Sequence, residues 1–136
     1  AGMTMQLTST TAQHSMEHSM RDYHHNLPHG AGLIMISKAF AEFFMERHAC
    51  DAQFVKMARA MGMEHADKPR DFITALVGLQ EACGVADLKM SDYGFTPDEF
   101  MTLAKGARSM QGGLFAANPC EMTDEDCASI FEKSYR

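Results

Sequence analysis

Leu33-Ile-Met-Ile-Ser-Lys-Ala-Phe-Ala-Glu-Phe-Phe-Met-Glu-Arg47 is the most apolar stretch of the chain. Leu33, Ile36, Phe40, Phe43 and Phe44 recur at helical spacing. Ile34, Met35 and Met45 widen the stripe until only a narrow polar strip remains. A helix that is apolar nearly all round belongs in the middle of a bundle. It is too short to cross a membrane, which takes about 20 apolar residues. Lys38 and Glu42 lie one turn apart on the polar strip, where a solvated ion pair is expected.

On the C-terminal side, Phe54, Met57, Ala58 and Met61 give a second helix over 51–61, stopped by Gly62. Asp67 is placed to cap the next helix, with Pro69 in its first turn. Phe72, Leu76, Leu79 and Cys83 are its expected buried face, and Gly84 its end. After a linker over 85–95, Thr96-Pro-Asp-Glu99 is a capping box with Pro at the first helical position. Phe100, Leu103, Ala104 and Ala107 form the apolar face of that helix, and Gln111-Gly-Gly113 ends it. Asn118-Pro119 marks a turn. Thr123-Asp-Glu-Asp126 repeats the capping chemistry ahead of Cys127, Ile130 and Phe131, which are expected to face inward. On the N-terminal side, a helix is expected from the start to about residue 22, although Thr8-Ser-Thr-Thr11 has poor helix propensity. Ala1-Gly-Met-Thr-Met reads as a chain beginning inside an element. No segment alternates with a period of two. The expected fold is all-α, a bundle of about six helices joined by short loops, in a single domain over 1–136.

Composition narrows the function classes. With 46% hydrophobic and 22% charged residues the chain is globular in type. A formal charge of -6 without a basic cluster argues against nucleic acid as a partner. No membrane span and no signal segment is visible. Cys50, Cys83, Cys120 and Cys127 make no C-x-x-C pair, so reduced thiols in a cytoplasmic protein are expected. Thirteen methionines read as adaptable core filler, with Cu(I) binding as the sharper alternative.

Five of the seven histidines fall in His14-Ser-Met-Glu-His18-Ser-Met-Arg-Asp-Tyr-His24-His25-Asn-Leu-Pro-His29. On a helix, His14 and His18 share one face, while Met16 and Met20 share the opposite one. With His29 beyond the turn they can supply three ligands to one transition metal. For a single histidine, a surface or capping role is the ordinary reading; three at this spacing point to metal binding. His24 and His25 read as solvated loop histidines, His48 and His65 as helix-end residues. Asp22 is the acid expected to cap the turn or orient an imidazole. Tyr23 and Phe40 read as core residues, or as lining for a substrate pocket.

His14-x-x-x-His18 followed by Leu27-Pro28-His29-Gly30 resembles the signature of the iron-containing (group III) alcohol dehydrogenases. Ala58-Arg-Ala-Met-Gly62, Phe72 to Gly84, and Asn118-Pro119 before Thr123 are similar to later parts of that family's C-terminal half. The resemblance implies the C-terminal helical domain of a dehydroquinate synthase-like fold. It also implies that His14 and His29 ligate Fe2+, with Zn2+ as the other candidate. His18 would lie beside the metal, near the nicotinamide of NAD(P) and the substrate, as a catalytic proton relay. The implied reaction moves hydride between a small alcohol or aldehyde and NAD(P), in a homo-oligomer. Three departures accompany the likeness. The gap from His18 to His29 is one residue longer than usual, Cys120 stands where Arg often follows Asn-Pro, and two further ligands (an Asp and a His) together with the nucleotide-binding α/β domain are expected upstream. The chain alone is therefore expected to be inactive. A standalone helical metal-binding or carrier protein, and a helical interaction domain with incidental histidines, are the rival readings.

Overall fold

The computed structural model describes residues 9–136. Expectations for the segment before residue 9 lie outside the described residues. Among those residues there is no strand. Seven α-helices occur: α1 (Ala12–Tyr23), α2 (His29–Glu46), α3 (Asp51–Ala60), α4 (Arg70–Ala82), α5 (Phe100–Gln111), α6 (Gly113–Ala116) and α7 (Asp124–Ser134). Two 3-10 turns, Ser91–Tyr93 and Pro97–Glu99, precede α5. The helix beyond the expected six is the single turn α6, which Gly113 opens rather than prevents.

α1 begins where the threonine run ends. Thr11 is extended and its side chain caps nothing. The first amide, Ala12 N–H, instead donates to Asn118 Oδ1 at 3.1 Å, so the Asn118-Pro119 turn caps a helix more than a hundred residues away. One face of α1 buries Ala12, Ser15, Met16, Ser19 and Met20. Full burial of each methionine contributes about 1.5–3 kcal/mol. That face crosses α5 closely because both sides are small: Ser15 Oγ donates to Ala107 O and Ser19 Oγ to Leu103 O at 2.8 Å. Gly106 sits in the same contact.

α2 is the central helix, packed on α1, α4 and α7, as its sequence requires. Met35, Ile36, Ala39, Phe40, Ala41, Phe43 and Phe44 are buried. Pro28 stands just before its first turn with extended backbone. Leu33, Ile34 and Met45 remain partly exposed. Glu42 pairs with Arg70 at 3.4 Å, across to α4, in place of the expected Lys38. α5 and α7 complete the core with Phe100, Leu103, Ala104, Ala107, Cys127, Ile130 and Phe131, all buried. Both capping boxes form: Thr96 N–H donates to Glu99 Oε1 at 2.8 Å, and Thr123 N–H to Asp126 Oδ2 at 2.9 Å.

The α3–α4 hairpin departs from expectation. Asp71 rather than Asp67 does the capping, its Oδ2 accepting from the amides of Asp67 and Lys68 at 2.9 and 3.0 Å. The buried residue of α4 is Ile73. Leu79 is 52% exposed and Cys83 is exposed. On α3, Phe54 and Ala58 are buried while Met57 and Met61 face out. Gly62 and Gly84 end their helices at positive φ, as expected. The linker is an anchor as well as a connector, since Met90 and Phe95 are fully buried. All four cysteines are unpaired. No helix among the described residues is long and apolar enough to cross a membrane.

Candidate metal centre

Two helices build the site. α1 carries His14 and His18 one turn apart on the face away from Met16 and Met20. The turn that follows is held by Leu27, which is buried and donates its N–H to His24 O at 3.0 Å. Pro28 then aims α2 so that His29, its first residue, returns to the two α1 histidines. The three ring centroids stand 6.5 Å (His14–His18), 5.6 Å (His14–His29) and 5.8 Å (His18–His29) apart. A metal–imidazole bond of about 2.0–2.1 Å puts a ring centroid about 3 Å from the ion, and so two ligating rings about 5–6 Å apart. The triangle matches that spacing with a small contraction on the His14–His18 side.

The donor set suits a borderline divalent ion. His14 is held below the usual histidine range, first by burial and then by the neighbouring His29 and His18, against a raising effect of Glu17. A neutral imidazole is the ligating form. His18 and His29 keep side-chain exposures of 34% and 45%, so that side of the cluster is open.

A fourth group stands among them. Glu17 is fully buried, and its Oε2 accepts from His29 Nδ1–H at 2.5 Å. Ligand atoms of Glu17, His18 and His29 all lie within 4.8 Å of one another. His14 falls outside this tightest set and reaches it through its contact with the His29 ring. Glu17 was not legible from periodicity, because a glutamate beside the stripe Met16–Met20 reads as solvated. The available signal was its place directly before His18 in the His-x-x-Glu-His run.

The other candidates disperse. Asp22 is exposed and does not orient an imidazole. Tyr23 is 50% exposed and not a core residue, whereas Phe40 is buried. His24 is not a solvated loop residue: its ring stacks on Phe95 at 3.9 Å and its Nε2–H donates to Glu99 Oε1 at 3.1 Å. His25 is exposed, its Nδ1–H donating to Arg21 O at 3.0 Å. His48 turns back on Asp51 at 2.7 Å, and His65 is exposed.

The sequence profile described as "Fe-containing alcohol dehydrogenase family, C-terminal" matches residues 1–135. This chain belongs to the iron-containing alcohol dehydrogenase family. Solved members superpose well on it. An archaeal halo-thermophilic alcohol dehydrogenase from a Red Sea brine pool is 26% identical with a TM-score of 0.84, over 93% of this chain and 33% of that one. The alcohol dehydrogenase from Oenococcus oeni is 28% identical with a TM-score of 0.78, over 94% of this chain and 33% of that one. A 1,3-propanediol oxidoreductase, 21% identical over 92% of this chain and 32% of that one, shares the fold with a TM-score of 0.80. The chain thus spans about one third of the length of these dehydrogenases. No curated protein sequence matches it. In this member of the iron-containing alcohol dehydrogenase family, His14, His18 and His29 converge beside the buried Glu17 carboxylate.

Proposed function

We propose that this chain is the metal-binding, substrate-facing domain of a dehydrogenase moving hydride between a small alcohol or aldehyde and NAD(P). The observation that carries the reading is the convergence of His14, His18 and His29 from two helices within the family's C-terminal domain. His14 and His29 are assigned as ligands of Fe2+, or of Zn2+ in its place. His18 is assigned as the residue beside the metal that faces the nicotinamide and holds a proton on a ring nitrogen during turnover. When bound, the metal supplies Lewis acidity toward the alcohol oxygen, and the nicotinamide accepts the hydride. The polarity of the His18 ring and its 34% exposure suit exchange of that proton with solvent. Two histidines make an incomplete ligand set, and the resemblance assigns the remaining ligands and the nucleotide-binding domain to other sequence. The isolated domain is therefore proposed to be inactive. Family membership favours this reading over a standalone metal carrier.

The test is His29→Ala in the full-length protein. Metal retention and alcohol-dependent NAD(P)H formation are both expected to be lost. Wild-type metal content and turnover in that variant would refute the assignment.

A further inference from the structure

The buried carboxylate in the histidine cluster has no role in the ligand assignment above. Glu17 has no exposed surface, and among the described residues its side-chain hydrogen bond runs from His29 Nδ1–H to Oε2 at 2.5 Å. Among the described residues its Oε1 is buried without a hydrogen-bond partner, with Arg21 Nε 3.8 Å from Oε1 and His18 Nε2 3.8 Å from Oε2. Burying a carboxylate with so little compensation costs several kcal/mol in general, so its position calls for a function. The surroundings are fitted to it. Gly32, on the facing turn of α2, leaves the space that Glu17 fills: a Cβ there would lie 2.8 Å from Glu17 Cγ and 3.1 Å from Leu27 Cδ2.

From this we infer that Glu17 is the positioning residue for His29: it fixes the Nδ1-protonated tautomer and turns Nε2 toward the metal. The inference rests on the proposed ligand role of His29. A carboxylate oxygen only accepts, so the 2.5 Å contact puts the ring proton on Nδ1 and leaves the lone pair on Nε2. The same contact raises the basicity of the ligating nitrogen. Direct ligation by Glu17 Oε2 alongside His29 Nδ1 does not suit this spacing. Two donors each about 2.0–2.2 Å from one ion stand about 3 Å or more apart at ordinary coordination angles. Glu17 also lies on the closed side of the cluster, whereas His18 and His29 present the open side.

Zn2+ is the probe, in the full-length protein. Wild-type affinity comes from competition with a chromogenic chelator, and long-range 15N–1H spectra of the Zn2+-loaded protein identify the protonated and metallated ring nitrogens. His29 is expected to carry its proton on Nδ1 and the metal on Nε2. Glu17→Gln is expected to weaken Zn2+ binding about 10- to 100-fold and to shift the His29 Nδ1 proton resonance, with helix content unchanged. Gly32→Ala, which crowds Glu17 without removing it, is expected to weaken binding in the same direction. Metal on His29 Nδ1, or wild-type affinity in Glu17→Gln, would overturn the inference. So would a lost ligand in the Co2+ visible spectrum of Glu17→Gln, which would make Glu17 itself a ligand. If Glu17→Gln does not fold, the wild-type spectrum and Gly32→Ala decide alone. Wild-type Zn2+ affinity in His29→Ala refutes the ligand assignment itself. Lost binding there with unchanged Glu17→Gln refutes only the role of Glu17.

Discussion

The four cysteines differ in environment, and their chemistry should differ with it. Burial pushes the Cys127 thiol up to about 12, against a lowering effect of Arg108. Cys50 is also raised, first by burial and then by Asp51 and Cys120. Cys83 is exposed on the last turn before Gly84. Thiolate is the reactive form. A disulfide reagent at pH 8 is therefore expected to label Cys83 quickly and Cys127 only after unfolding. Fast labelling of Cys127 in the folded protein would contradict its burial. The sign of the linked pH effect follows. A raised folded-state pKa gives stability that is fully present below the unfolded value near 9 and is lost as pH rises toward about 12. At this scale the histidines were legible because imidazole is rare and their spacing is helical. Glu17 and the packing of His24 were not. Whether a polar residue is solvated or enclosed depends on which element covers it, and neither α2 nor the Phe95 loop is visible in the local pattern.

A one-sided pattern and a capping box made α5 and α7 legible, and a nearly all-round apolar run made α2 legible. For α4, the pattern of Leu76, Leu79 and Cys83 gave an apolar face but not its covering. Those residues, with Gln13, Leu33 and Val85, line an open surface groove. The tightest helix pair, α1 on α5, rests on small residues that no periodicity singles out. A Cβ on Gly106 would stand 2.6 Å from Ser19 Oγ. Helix propensity alone favours Gly106→Ala by about 1 kcal/mol. The clash works the other way. Ser19 is fully buried and its Oγ already donates to Leu103 O, so moving it breaks that bond or pushes the helices apart. Overpacking of this kind costs about 1–3 kcal/mol, and the net effect of Gly106→Ala is expected to be destabilising. Ser19→Ala combined with Gly106→Ala should recover much of the loss, since the clashing atom is gone. A lowered urea midpoint for the single variant and partial recovery for the pair is the expected result. A single variant as stable as wild type would mean that α1 and α5 are not so closely seated.

Across the whole domain, the histidine cluster lies between α1 and α2, which already pack on each other. α1 packs chiefly on α5, and α2 on α1, α7 and α4. His14 belongs to α1 and His29 to α2, so an ion held by both adds a cross-link to that helix pair. A ligand that binds only the folded state stabilises it by RT ln(1 + [L]/Kd), about 2.7 kcal/mol at one hundred times Kd. The unfolded chain presents the same histidines without their convergence, which makes its competing affinity weak. Metal loading is therefore expected to raise the unfolding temperature of the full-length protein, and a chelator to return it to the unloaded value. His29→Ala should remove the increment and also lower the unloaded stability, because it leaves the buried Glu17 carboxylate without its hydrogen bond. Glu17→Gln should keep part of the increment, in proportion to its weaker affinity. An unfolding temperature indifferent to metal and chelator in the wild-type protein would show that His14 and His29 do not share an ion, however close their rings.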